Sequence, residues 1–344
     1  MTDEMEGELT EYAELHGCSC KVGQADLEGL LEDAGVDGQS PALLFGIGED
    51  ASARMLRDDL ALVQTVDFFT PVVDDPYDFG RIAACNAASD AFATGATANL
   101  SCLVTLGVPR GLTGQAAQIL AGMADMLGTV DGTIVGGHTV MNPWPIAGGA
   151  ITATAEPTAL LTMDGATPGD RLFLTKPLGT QPATGALRVE DGEFAATVAS
   201  VTERPVDEIG AEAIAWMTTP NDDAARIARE YASAATDVTG FGLVGQARTL
   251  ATRAEVGIEI DGFPVIDGTV ALSELFGYGL ELGESAETSG GLLFSVPDRH
   301  TATATDALDT AGVFYAEIGR VTDGEGVECT EPTIDRVRSP PSGL

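Results

Sequence analysis

Apolar and polar positions along this chain change period repeatedly, and the changes predict alternating strands and helices from about Leu43 onward. Leu60 to Phe69 is a run of apolar and β-branched residues that reads as a buried strand. Asp78 to Thr94, rich in alanine and with Asn86 and Asp90 four apart on one face, reads as a helix. A strand over Leu100 to Val108, a helix over Thr113 to Leu127, a short strand over Thr133 to Val135 running into Gly136-Gly137, and a strand over Ile146 to Ala155 follow. The stretch Glu156 to Asp170, punctuated by proline and glycine, predicts a domain boundary. Beyond it the pattern predicts a strand over Arg171 to Thr175, helix over Pro205 to Ala232 broken at Pro220, and a helix over Phe241 to Ala251. A late strand over Gly290 to Val296 and a helix over His300 to Thr310 complete the reading.

No repeat of solenoid length is present, so two domains of α/β (α+β) class are expected. Residues 1–40 are acidic and glycine-bearing, with a short helix over Gln24 to Glu32, and read as a mobile arm that carries Cys18 and Lys21. Residues 41–157 and 158–338 read as the two domains, and 339–344 as a frayed proline- and glycine-rich tail.

Charge narrows the function classes. Fifty-three acidic residues against seventeen basic ones give a formal charge of −36, spread along the whole chain. A phosphate backbone attracts basic surfaces, so no direct nucleic-acid partner is expected. The acid coat suggests a halophilic cytoplasm of molar salt, where the Debye length falls to ~3 Å and self-repulsion is screened. No apolar run approaches the ~20 residues that span a bilayer, and the acidic start is unlike a secretory signal, so a cytoplasmic protein without membrane contact is expected. The five cysteines are scattered, which predicts free thiols, with Cys85 and Cys102 as small core residues. Average composition would put ~20 lysines in a chain this long. Only Lys21 and Lys176 remain, which points to tasks that arginine or acid cannot perform.

Candidate chemistry falls into three groups. In Gly17-Cys18-Ser19-Cys20-Lys21 two thiols stand beside an ammonium. That neighbour lowers a thiol's pKa and favours the reactive thiolate, while His16, Cys18 and Cys20 would equally serve as part of a metal site. Asp50, Asp67, Asp90 and Asp237 lie at the ends of otherwise apolar elements, where a carboxylate calls for compensation such as a hard cation. Glycine-rich turns at Gly136-Gly137-His138-Thr139, Lys176-Pro177-Leu178-Gly179-Thr180, Thr239-Gly240-Phe241-Gly242 and Ser289-Gly290-Gly291 would let backbone amides approach phosphates. None matches a Walker A or dinucleotide fingerprint.

In order along nearly the whole chain, these motifs together with Thr65-Val66-Asp67-Phe68-Phe69-Thr70-Pro71, Asp78 to Asp90, Leu172 to Gly179, Thr236 to Leu243 and Thr288 to Leu293 closely resemble the bacterial-type selenophosphate synthases. The glycine turns also suit the broader superfamily of aminoimidazole ribonucleotide synthetases and thiamine monophosphate kinases, whereas the cysteine and lysine arm separates selenophosphate synthases from those relatives. The resemblance implies a two-domain aminoimidazole ribonucleotide synthetase-like fold, with N-terminal domains forming a β-barrel shared in a homodimer. It implies a phosphotransferase that converts ATP, selenide and water to selenophosphate, AMP and phosphate with Mg2+. Cys18 matches the catalytic cysteine or selenocysteine and Lys21 the essential lysine. Asp50, Asp90 and Asp237 match metal ligands. Lys21, Ile47, Gly48, Glu49, Asp67, Asp90, Gly137, His138 and Thr139 match the ATP and phosphate contacts, the last three supplied by the partner subunit. A selenium-delivery protein is a further expected partner. Gln246 departs from the histidine often found there, and Glu287-Thr288 departs from the usual Asp-Pro-Gln-Thr lead into the late glycine pair. Another kinase of the superfamily would release ADP, and a selenium or metal carrier would need the Cys-x-Cys pair but no aspartate set.

Overall fold

The long apolar runs become the central strands of two six-stranded sheets. A computed structural model describes residues 8–36, 38, 40–190 and 192–338. The first sheet is built from β1 (Leu43–Phe45), β2 (Ser52–Arg57), β3 (Leu60–Phe69), β4 (Ala98–Val108), β5 (Thr133–Met141) and β6 (Ile146–Ala155). Its order is β1-β2-β3-β6-β4-β5, antiparallel except for β4 with β5. The second comprises β7 (Arg171–Leu174), β8 (Ala234–Asp237), β9 (Gly257–Ile266), β10 (Leu292–Val296), β11 (Ala316–Thr322) and β12 (Gly326–Val337). Its order is β12-β9-β11-β7-β10-β8, with only β12 and β9 parallel.

Ten α-helices accompany the sheets among the described residues: α1 (Gln24–Ala34), α2 (Pro76–Ala93), α3 (Thr113–Thr129), α4 (Thr180–Leu187), α5 (Ala195–Val201), α6 (Val206–Met217), α7 (Asp222–Tyr231), α8 (Gly242–Ala254), α9 (Thr269–Phe276) and α10 (Thr301–Ala311). No helix among the described residues is long and apolar enough to cross a membrane.

Helix α2 is the structural centre. Asp75 caps it by accepting from Asp78 N at 2.9 Å, and Pro76 begins it where a missing N–H costs nothing. Its alanines are buried almost all round because α2 packs on β3 and β6, against α3, and against β8, α6 and α7 of the second half. Small side chains permit that crowding. At the α2 and α3 crossing, a Cβ on Gly80 would run into the Ile119 carbonyl.

The shared β-barrel of a homodimer is not what forms. Among the described residues the first sheet stays open, and β1 and β5 are its edge strands, each paired on one side only. Closure requires the edge strands to pair along their length. Here β1 is three residues long with an irregular register, and β5 is nine. The uncovered face exposes Val66, Phe68 and Leu103.

A second correction concerns Gly136-Gly137-His138-Thr139, expected as a turn. These residues continue β5 because β4 runs alongside and pairs them in parallel with Leu103 to Leu106. The polar strand β12 and the helix α4, which contains Pro182 and Gly185, carry too little apolar periodicity to be read from sequence. Residues 8–21 lie docked on the body, with Gly17 N donating to Thr70 O at 3.1 Å and Thr10 N to Asp74 Oδ1 at 2.8 Å. The expected tail 339–344 lies outside the described residues.

Replacing Gly80 with alanine is expected to destabilise the fold by about 3 kcal/mol, the upper end for overpacking, because both clashing groups are backbone-anchored. Chemical denaturation checks this.

Candidate active site

Three carboxylates from distant parts of the chain converge. Asp50 precedes β2, Asp90 lies in the last turn of α2, and Asp237 ends β8; each offers an oxygen within 4.8 Å of the others. Thr236 Oγ1 donates to Asp50 Oδ1 at 2.9 Å and Thr65 Oγ1 to Asp90 Oδ2 at 2.6 Å. Asp237 is 1% exposed, and its Oδ2 has no hydrogen-bond partner. Burial, followed by mutual repulsion, pushes Asp50 and Asp90 well above the usual carboxylate range. Asp237 is also raised, by burial first, with Lys21 opposing. An all-oxygen donor set with one orphaned buried oxygen suits a hard divalent cation.

The arm meets this cluster. Asn86 on α2 is fully buried and acts as a hub: its Oδ1 accepts from Cys18 Sγ at 3.2 Å and Ser289 N at 2.9 Å, and its Nδ2 donates to Asp67 Oδ2 at 2.7 Å. Lys21 Nζ lies 2.9 Å from the same Asp67 oxygen. Lys176 is also buried, donating to Ser289 O at 2.8 Å. Both surviving lysines therefore belong to one network, and desolvation lowers the pKa of Lys176.

The expected thiolate at Cys18 is not favoured here. Its side chain has no solvent exposure, and burial pushes the thiol far up. Lys21 opposes that shift, while Asp67 and Asp237 reinforce it. For Lys21, burial alone would lower the pKa, but the surrounding anionic groups outweigh it and raise it. Cys20 is half-buried with its thiol also raised, chiefly by burial. His16, Cys18 and Cys20 do not form a metal-holding group among the described residues.

Other expected contacts lie apart. Ile47 is exposed and Gly48 sits in the loop before Asp50. The Glu49 carboxylate is engaged by Arg253 at 2.8 Å and by Met163 N at 3.0 Å, bracing the first sheet against α8. Gly137, His138 and Thr139 are on the exposed edge strand β5, and no hydrogen bond or ion pair joins them to the aspartate cluster among the described residues. Gln246 donates to the Asp237 carbonyl at 2.8 Å, and Glu287 accepts from Gly179 N and Thr180 N at the start of α4, each at 2.8 Å. Thr65 was legible as a partner in principle, since it shares a strand face with Asp67. Ser289 and Thr236 gave no signal beyond their motifs.

Residues 48–163 match the model of the AIR synthase related protein N-terminal domain, and 167–331 match the C-terminal domain. Selenide, water dikinase from Methanocaldococcus jannaschii is 41% identical over 92% of this chain and 94% of its own length. Homo sapiens selenide, water dikinase 2 is 40% identical over 86% of this chain and 75% of its own. The chain belongs to the selenide, water dikinase family. Its fold extends further: a structure of AaThiL complexed with AMPPCP and TMP superposes with a TM-score of 0.70 at 22% identity, over 93% of this chain and 98% of that one. For this selenide, water dikinase family member, the aspartate cluster is the best-formed cation site among the described residues.

Asp237→Asn is expected to weaken Mn2+ binding by about 100-fold. The same change relieves repulsion among buried carboxylates, so melting in EDTA should move upward. Calorimetric titration and paired melts check both effects; an unchanged Mn2+ affinity would remove Asp237 from the ligand set.

Proposed function

We infer that this chain is a selenophosphate synthase, converting ATP, selenide and water to selenophosphate, AMP and orthophosphate. The observation that carries the assignment of the reaction to this site is the meeting of Asp50, Asp90 and Asp237 with the arm that bears Cys18 and Lys21. In this reading Asp50, Asp90 and Asp237 hold Mg2+, and bound Mg2+ supplies the positive charge that a triphosphate needs in so acidic a protein.

The chain's own residues supply the rest. Lys21, held by Asp67, stabilises charge on transferred phosphoryl oxygens. Asn86 fixes the Cys18 thiol beside Asp67, so the sulfur faces the metal cluster and not solvent. The docked arm excludes water, which strengthens each charge interaction inside and limits hydrolysis. Neutralising the Asp237 carboxylate removes one influence that holds Cys18 protonated, favouring the thiolate that handles selenium. Ile47 and Gly48, in the loop leading to Asp50, contact the nucleotide from one side. Glu49 supports that loop from behind through Arg253. The functional units are the arm 1–40, an ATP- and metal-binding domain 41–157 and a C-terminal domain 158–338.

Phosphorus NMR of ATP, selenide and Mg2+ at high salt is expected to give selenophosphate, AMP and orthophosphate. ADP accumulating without selenophosphate would point to another kinase of the superfamily. Cys18→Ser is expected to abolish selenide-dependent AMP formation with the fold intact. Lys21→Ala should lower kcat by about 100- to 1,000-fold, the scale of losing one preorganised charge partner.

A further inference from the structure

Cys18 is sealed from solvent, so selenium needs a route to it. Behind the docked arm lies a cavity of about 250 Å³, bounded by His16 and Ser19 on one side and Gln181, Arg188 and Tyr278 on the other. Thr288 also lines it, and Thr288 Oγ1 accepts from Cys18 N at 3.3 Å, so the cavity wall touches the backbone of the reactive residue.

Arg188, the first residue after α4, is unusual in this chain. Nine of the other fourteen arginines form an ion pair with a carboxylate, and the remaining five are exposed. Among the described residues Arg188 alone is neither exposed nor within ion-pair distance of a described carboxylate, although the chain carries a formal charge of −36. Burial lowers its pKa, and the nearby Tyr278 hydroxyl opposes that shift. His16 Nδ1 is buried without a partner, and burial, aided by Arg188, holds the imidazole down to about 4. At neutral pH the cavity thus presents the Arg188 guanidinium, the Tyr278 phenol and an uncharged imidazole, with the Glu14 carboxylate at its solvent-exposed rim.

We propose that this cavity is the selenium port, in which Arg188 and Tyr278 hold hydroselenide, a small monoanion, beside the Cys18 loop before transfer. The proposal rests on the reading of the chain as a selenophosphate synthase and adds the place where its second substrate binds. Size supports it: the cavity is smaller than the ~300 Å³ at which drug-sized ligand pockets begin, yet holds a small anion with several waters of ~30 Å³ each. Charge supports it as well. The outer side of Arg188 borders a groove walled by Glu11, Asp74 and Asp75, whose repulsion grows with ligand charge and so turns away ATP far more strongly than a monoanion. The two substrates would then reach the cluster from different sides.

Steady-state kinetics of the full chain with ATP, Mg2+ and selenide test this. Arg188→Met keeps the bulk and removes the charge; it is expected to raise KM for selenide at least tenfold with KM for ATP within twofold, and Arg188→Lys should recover most of the loss. Tyr278→Phe should raise the selenide KM about threefold. Sulfide should compete with selenide in the parent enzyme and compete less well in Arg188→Met. An unchanged selenide KM in Arg188→Met, or equal rises for both substrates, would overturn the port and leave Arg188 as a brace for the arm. Should Arg188→Met fail to fold, an unchanged selenide KM in Tyr278→Phe overturns it instead. A parent enzyme that makes no AMP in response to selenide would overturn the functional reading itself.

Discussion

Mutual repulsion among Asp50, Asp90 and Asp237 is the constraint around which this molecule is arranged. The three belong to the first sheet's loop, the central helix and the second sheet, so their meeting is also one of the contacts between the two halves. Burial makes the repulsion severe, because like charges in a low dielectric are poorly screened. Hydroxyls of Thr65 and Thr236 relieve only part of it. A cation at the cluster therefore acts on the packing of the halves as well as on substrate, and the Glu49 to Arg253 pair braces the same junction without it.

Helix α2 makes the convergence feasible. A helix that touches both sheets needs side chains small enough for close approach on every face, and alanine and glycine provide this. Asn86 and Asp90, one turn apart, then point polar groups into the junction of the two halves. Asn86 reaches Cys18, Ser289 and Asp67 together, so the arm, the late glycine loop and β3 are tied through a single amide.

Acidity shapes the chemistry. A chain with two lysines has placed both in this network, one on Asp67 and one beneath Ser289. Elsewhere cations are arginines engaged by carboxylates or left in solvent, so Arg188, half-buried and without an ion pair among the described residues, stands out. In such a field the charge of a substrate governs which entrance it can use, and a triphosphate requires compensation that a monoanion does not.

Much of the architecture was legible from residue pattern. The run Leu60 to Phe69 became β3 with the same ends, and the break at Pro220 separates α6 from α7. The order of the motifs was enough to indicate the family, because each motif couples a polar group to a particular turn or strand end. What pattern could not supply is everything that depends on residues far apart in sequence. The extension of β5 through Gly136 to Thr139 exists because β4 offers a ladder, and the openness of the first sheet follows from a three-residue edge strand. The protonated state of Cys18 was likewise hidden: the adjacent Lys21 suggested a thiolate, but burial and the carboxylates of Asp67 and Asp237 prevail. Sequence by itself determined which residue types stand at which turns; only the tertiary structure decided which charges share a low-dielectric space, because that is a property of distance and burial and not of order along the chain.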